Sequence, residues 1–325
     1  MLSYVLMRLL VVIPTLIGIT LVVFTVVTAA PGDPAANRAS EIQDPEQSER
    51  VRAELIKRYR LDEPVLKRYV LWVGDLVTFD LGNSISDDNP VADKIAKAFW
   101  PTVSVNLVAT ILAFLISVPI GLGMAARRNG WFDRIGGAAL YGLYSIPSYV
   151  GAIILIYYLG VSWDLLPFSG MTGDDYHKLS GFGKFMDITA HMTLYVICAM
   201  YGSLAFYSRF VRQNLLEVVR QDFIRTARAK GLSGRTVIVK HAFRNSLIPL
   251  LTLMGLVVPG LLGGSVILEA IFTWPGLGKL FIESIYQRDF PTLMALSTAS
   301  AVLVLLSTLV VDLLYGVVDP RVSQR

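Results

Sequence analysis

Few residues in this chain have the types and spacing that chemistry needs. A phosphate-binding loop of the form G-x-x-x-x-G-K-[ST] is missing. Gly276-Leu277-Gly278-Lys279-Leu280 has a lysine after glycine, but it lacks the first glycine and the hydroxyl residue that would reach magnesium. The three histidines, His177, His191 and His241, are scattered and form no pair at metal-ligand spacing. The single cysteine, Cys198, rules out an intrachain disulfide and a cysteine-based metal site. Gly202-Ser203 with His191 has the composition of a serine dyad, yet small residues in an apolar helix mark close packing far more often. The chain is therefore expected to be no enzyme and to hold no cofactor or metal of its own. Two acids, Glu269 and Asp312, lie in or beside apolar runs. Acids there are costly, so each is a candidate for a substrate or ion site, with a structural hydrogen bond or ion pair as the commoner role.

The remaining candidate is the stretch Asp222–Pro249, DFIRTARAKGLSGRTVIVKHAFRNSLIP. Asp222 is placed to cap a helix on which Ile224, Ala227 and Gly231 recur at helical spacing, with Arg225, Arg228 and Lys230 on other faces. Gly231 suits the left-handed conformation that ends a helix, and Ser233 suits the start of the next. Two uses fit such a helix–glycine–helix at a membrane surface. It can hold anionic lipid, or it can form a rigid protrusion that enters a partner's groove. The glycine, the small Ala227 and Ala229, and the thin apolar face favour the partner.

These residues need elements to position them, and composition says which. The 325 residues are 54% hydrophobic and only 17% charged, against about 25% charged in ordinary soluble proteins. The depletion is uneven, because residues 31–100 read as soluble sequence while long stretches elsewhere carry no charge. An all-α polytopic membrane protein follows, with six expected spans: Leu9–Ala30, Pro101–Ala126, Ile135–Val161 (kinked at Pro147), Ile188–Ser208, Leu247–Thr273 and Pro291–Val318. The first run is longer than the apolar core of a signal peptide, about 7–15 residues, which makes it an uncleaved anchor. Residues 31–100 form a helical insert outside the membrane. Helical spacing there covers Glu46–Arg60, with Val51, Leu55 and Tyr59 on one face. A new helix starts at Asp62-Glu63-Pro64, and a short helical stretch to Phe99 follows Asp88-Asn89-Pro90. Residues 162–187 read as loop.

Orientation comes from where Lys and Arg fall in the short loops. One side holds Arg8, then Arg127, Arg128 and Arg134, then nine cations from Arg209 to Arg244, then Arg321 and Arg325; the other holds Lys178, Lys184, Lys279 and Arg288. Both termini are thus expected in the cytoplasm. The basic residues act as a topology signal and not as a nucleic-acid surface. In this frame Glu269 is expected near the outer interface, within reach of water, and Asp312 near the cytoplasmic end with Arg321 in reach.

At Thr226–Leu232 the segment reads T-A-R-A-K-G-L, and there it resembles the "EAA" coupling loop of ABC importer permeases, in the oligopeptide/dipeptide branch (OppB/DppB type). The family pattern E-A-A-x3-G-x9-I-x-L-P maps onto Arg225, Thr226, Ala227, Gly231, His241, Phe243 and Arg244, with Ala227 and Gly231 as literal matches. Further segments are similar to that branch in chain order: Pro31-Gly32-Asp33-Pro34, Tyr59–Pro64, Asp80–Ser84, Phe272–Gly278, Arg288–Pro291 and Val311–Arg321. The resemblance implies 1–30 as an N-terminal end and first span, 31–100 as an extracytoplasmic insert, and 101–325 as a permease core whose coupling loop spans 209–246. It implies a coupling surface at Asp222, Arg225, Thr226, Ala227, Arg228, Ala229, Lys230, Gly231, Leu232 and His241. It implies a second, homologous permease as a heterodimer partner, two ATP-binding subunits carrying ATP and magnesium, an external binding protein, and a peptide substrate in a bacterial inner membrane. A same-branch permease for nickel, glutathione or another small solute is the nearest alternative. An ion-coupled secondary transporter using Glu269 or Asp312 is the alternative from another class.

Overall fold

The computed structural model describes residues 2–30, 32–40 and 42–318; the side chains of 2–9, 34, 235, 312–318 and several positions between 247 and 262 lie outside that description. Regular structure among the described residues is helical apart from one bridge between Asn83 and Pro90. This is the expected outcome for long apolar runs, since hydrocarbon offers no hydrogen-bond partner and a helix satisfies its own backbone. In chain order the helices are α1 (Leu2–Ala29), α2 (Pro34–Ser40), α3 (Pro45–Arg58), α4 (Val65–Val77), α5 (Val91–Ala126), α6 (Trp131–Ser145) and α7 (Ser148–Leu155). They continue as α8 (Gly181–Val218), α9 (Asp222–Ala229), α10 (Gly234–Thr236), α11 (Arg244–Gly263), α12 (Val266–Ile271), α13 (Leu277–Gln287) and α14 (Phe290–Val318).

Among the described residues, α5, α8, Leu10–Ala29 of α1 and Phe290–Val311 of α14 are each long and apolar enough to cross a bilayer; the α6–α7 pair adds a fifth crossing if it forms one span. The fifth run of the sequence falls on α11, which carries Pro249 and Pro259 and stops at Gly263, ahead of Gly264 in a left-handed conformation. It is therefore not one helix from 247 to 273. Two helices overrun their expected bounds. α5 continues through Pro101 back to Val91, and α8 begins at Gly181 and ends at Val218, so Asp187 is helical and not in a loop. Apolarity marks only the part of a helix inside hydrocarbon. At 1.5 Å per residue, 36 residues run about 54 Å, well past a core of about 30 Å.

The chain divides into two compact units. One comprises Met1–Thr102, Leu262–Val266 and Pro275–Arg325. Here α1 packs along α14, and the insert forms a small helical cap. Asp44 caps α3 by accepting from Glu46 N, and Leu55 is buried with Ala35 and Ile85 while Val51 and Tyr59 pack around them, as the helical spacing predicts. In α4 the packed face is Tyr69 and Trp72, whose rings lie 5.4 and 5.7 Å from that of Phe24, while Leu66 points outward. The loop at 84–90 is tied to the start of α14 by Asp289, which is fully buried. Ser84 Oγ and Thr292 Oγ1 each donate to Asp289 Oδ2 at 2.6 Å, Ile85 N donates to Oδ1 at 3.1 Å, and Lys94 Nζ lies at 3.6 Å. At Gly32 an added Cβ would sit 1.0 Å from the Arg288 guanidinium, so the side chain of Arg288 occupies the space that only glycine leaves open.

Lys94 also meets Asp87 at 3.0 Å. Burial alone would raise the Asp87 carboxyl, but hydrogen bonds from Lys94, Ser84 and Asn89 outweigh it and hold the group at about 2, below its usual 3.8. A depressed carboxyl stabilises the fold at every pH above its unfolded value and loses that contribution as pH falls through the folded one. The 84–94 segment should thus keep its resistance to proteolysis from pH 8 to about 4 and lose it between about 4 and 2. Cleavage rates by pepsin below pH 5 and by proteinase K above it, each normalised to an unfolded substrate at the same pH, would measure this; loss of protection already at pH 6 would contradict it.

The other unit comprises Val103–Leu261 and Ile267–Trp274. The kink expected at Pro147 is a full break: α6 and α7 meet at 91°. Proline lacks the N–H that would continue the helix, and Ile146 before it is extended (φ −85°, ψ 117°). The Tyr201 hydroxyl, from α8, donates to the Ile146 carbonyl at 2.7 Å and satisfies part of what the break exposes. The N-terminus of α6 is held to α8 by a two-pronged ion pair, with Arg212 Nε and Nη2 donating to Asp133 Oδ1 and Oδ2 at 2.6 and 2.7 Å.

Candidate coupling surface

The segment singled out by its sequence folds as a short helix clasped between two long ones. α8 runs 38 residues to Val218, a turn at 219–221 follows, and α9 begins. After α9, Gly231 takes φ +76° and its N–H bonds the Arg228 carbonyl at 2.9 Å, which ends the helix as expected. Ser233 caps the next stretch by accepting from Thr236 N. From Gly234 the backbone stays helical through a π-helical stretch, Val237–Phe243, directly into α11. No loop separates this segment from the fifth apolar helix.

An isolated eight-residue helix is unstable in water, so α9 depends on its packing. Ile224 is fully buried and Ala227 nearly so, in a cluster with Leu215 of α8 and Val237 and Ala242 of the π-helical stretch; Leu122 and Ala125 of α5 close it. Burying an isoleucine contributes about 1.5–3 kcal/mol, enough to hold one turn of helix in place. Ile224 is thus the residue that seats the helix, and the small size of Ala227 lets the backbones approach.

The opposite face is bare. Asp222, Arg225, Thr226, Arg228, Ala229, Lys230, Gly231 and Leu232 are exposed, while His241 is half-buried in the π-helical stretch. Of the ten candidate residues, eight share this outward surface, and Ala227 and His241 stand behind it. The expected role of Asp222 needs correction: Gln221, with extended backbone, occupies the N-cap. Asp222 is the first helical residue, where its charge favours the positive helix N-terminus, and it accepts from Arg225 at 3.3 Å.

The two acids are not part of this surface. Glu269, on α12, is fully buried, so the expectation that water reaches it is wrong. Its neighbours Leu268, Phe272 and Trp274 enter a core cluster with Tyr195, whose ring lies 5.7 Å from Phe272 and 6.0 Å from Trp274. A turn through Thr273 at φ +53° brings Trp274 N to the Glu269 carbonyl at 2.8 Å and closes the end of α12. The side chain of Asp312, and Arg321 with it, lie outside the described residues. Among the described residues there is no group of three or more His, Cys, Asp or Glu able to hold a metal ion.

Sequence reasoning missed the Asp289 node and the Asp133–Arg212 pair. Each acid stands beside a span end, but only the fold shows which distant groups it meets. The π-helical stretch gave no signal either.

Comparison with known proteins agrees over the whole chain. The family described as "Binding-protein-dependent transport system inner membrane component" matches residues 117–324, and its N-terminal counterpart, "Binding-prot-dependent transport system membrane comp, N-term", matches residues 1–106. The chain is 40% identical over 325 residues to the oligopeptide transport system permease protein AppB of Bacillus subtilis, covering 99% of this chain and 100% of that one. It is 38% identical over 343 residues to the dipeptide transport system permease protein DppB of Escherichia coli, covering 100% of both. Its fold is similar to a chain of the MetNI methionine ABC transporter in inward-facing conformations, with TM-score 0.56 and 19% identity over 71% of this chain and 98% of that one. The chain belongs to the family of binding-protein-dependent transport system inner membrane components.

Proposed function

We propose that this chain is one of two non-identical permease subunits of an ATP-driven importer of short peptides. It is a non-catalytic, multi-pass component of the inner membrane. Its six spans place both termini in the cytoplasm, its 31–100 insert faces the binding protein outside, and its spans form half of the translocation pathway. Two ATPase subunits, holding ATP and magnesium, sit on the cytoplasmic side.

The observation that carries this reading is the two-faced α9. One side is buried on α5, α8 and the π-helical stretch, and the other presents Arg225, Arg228 and Lys230. α9 is continuous with α8 through one tight turn and with α11 through helix. A partner groove that moves α9 therefore moves two long helices with it, a rigid-body change between two states. A lipid strip would instead turn its apolar face outward, whereas here that face is spent within the chain. The peptide class rests on the names of the two relatives.

Uptake of a labelled di- or tripeptide by membrane vesicles containing the whole complex tests the reading. Uptake should persist when a protonophore collapses the proton gradient at constant ATP, and stop when ATP is removed. The reverse pattern would establish the ion-coupled alternative. The purified chain alone should hydrolyse no ATP; turnover that co-purifies with it would sink the proposal.

A further inference from the structure

We propose that the cleft between α6 and α8 binds the phosphodiester headgroup of an anionic membrane phospholipid. The cleft has a volume of about 370 Å³, and its rim carries Arg134, Arg209 and Arg212 against one acid, Asp133. Arg212 takes both oxygens of Asp133. Among the described residues, Arg134 and Arg209 have no carboxylate partner; Arg209 instead lies with its guanidinium carbon 5.2 Å from the Tyr141 ring centroid. Two arginines without counter-ions around one cleft suit a phosphodiester, because a guanidinium matches phosphate oxygens with paired donors.

The lining changes character with depth. α8 leaves the membrane toward α9, so Ala205, four residues before Arg209, lies about 6 Å deeper. α6 runs the other way, so Gly137 and Leu140 lie roughly 5–9 Å deeper than Arg134. The floor is therefore apolar and the rim cationic. On the same two helices, deeper than the rim arginines, Phe206 and Tyr144 are 52% and 62% exposed, apolar surface available to acyl chains. A soluble anion would use the rim and gain nothing from this floor. A lipid uses both, as basic pockets between membrane helices do. Cations that serve only as a topology signal need no such placement: Arg127 and Arg128 in the adjoining turn serve that purpose outside the cleft, while Arg209 lies within α8, nine residues before its end. The site rests on the proposed function only in putting these helix ends at the cytoplasmic face.

The test is native mass spectrometry of the transport complex, purified in mild detergent from bacterial membranes and then exposed to phosphatidylglycerol, phosphatidylcholine or inorganic phosphate. The wild type should retain phosphatidylglycerol at least tenfold more than phosphatidylcholine, and R134Q/R209Q should lose that preference. Equal retention by variant and wild type, or equal retention of the two lipids, would overturn the site. Displacement of phosphatidylglycerol by millimolar inorganic phosphate would overturn the lipid assignment in favour of a soluble anion. If the double variant fails to accumulate, photo-crosslinkable phosphatidylglycerol on the wild type decides the question: label on peptides 131–145 or 205–213 supports the site, and label elsewhere only refutes it. Retention does not depend on transport, so a negative result speaks against this cleft and leaves the importer reading to its own uptake assay.

Discussion

Substituting aspartate for Gly231 should leave the chain inserted and folded while cutting peptide uptake by about tenfold or more. Position 231 has φ +76°, and nothing lies within 4 Å of where a Cβ would stand. The cost within the chain is thus the left-handed backbone alone, about 1–2 kcal/mol for a residue with a Cβ and less for the Asn and Asp types that tolerate it. Such a cost does not unfold a helical bundle. The introduced charge, however, lies directly after Arg228 and Lys230 on the outward face of α9. If that face seats in an ATPase groove, adding a negative charge at its tip weakens coupling, and coupling energies of about 1–3 kcal/mol correspond to about 5–150-fold. Gly231→Asn has the same shape and backbone preference without the charge, and it should retain most uptake. Uptake and pull-down of the ATPase subunits, measured on equal amounts of membrane protein, separate the outcomes. Normal uptake with normal ATPase recovery in the aspartate variant would place the coupling surface elsewhere.

The second large effect is expected at Asp289. Its carboxylate accepts from Ser84, Ile85 and Thr292, faces Lys94, and has no solvent exposure. Replacing it by alanine leaves Ser84, Thr292 and the Ile85 N–H without this acceptor, and leaves Lys94 with Asp87 as its remaining carboxylate. Each buried donor left unsatisfied costs about 1–3 kcal/mol. The loss should be local, freeing the 84–94 segment from the start of α14. The Asp289→Ala protein should therefore be cut rapidly between residues 80 and 94 by a protease added from outside, while α14 remains intact. Asp289→Asn keeps one acceptor but loses the attraction for Lys94, and should fall between. An alanine variant as resistant as wild type would show that other contacts hold this loop.

Asp289 was legible in the sequence only as part of a resemblance, Arg288-Asp289-Phe290-Pro291. Its partners Ser84 and Ile85 lie 205 and 204 positions earlier, and no local pattern links them to it. Glu269 shows the same limit in a different form. Hydropathy placed it late in an apolar run and so near water, but on α12 it is fully buried. Asp222 was misplaced by one position, because the capping role depends on backbone angles and not on residue type. The surface of α9, by contrast, was legible almost entirely. Ile224 and Ala227 faced inward, the cations outward, and Gly231 ended the helix.

By itself, then, the sequence determined that the chain is helical and membrane-spanning, that its residues 31–100 are more polar than the long apolar runs, and that it presents one basic, glycine-ended helix. Each of these depends on local periodicity and composition, which hydrocarbon and water read directly. Only the tertiary structure decided that α6 and α7 meet at 91°. It also decided that α9 is clasped by α5, α8 and the π-helical stretch, and that Asp133 and Asp289 tie remote segments together. Those outcomes depend on which buried side chain, apolar or polar, finds which partner. That pairing is settled by distances between residues far apart in the chain, and periodicity carries no information about them.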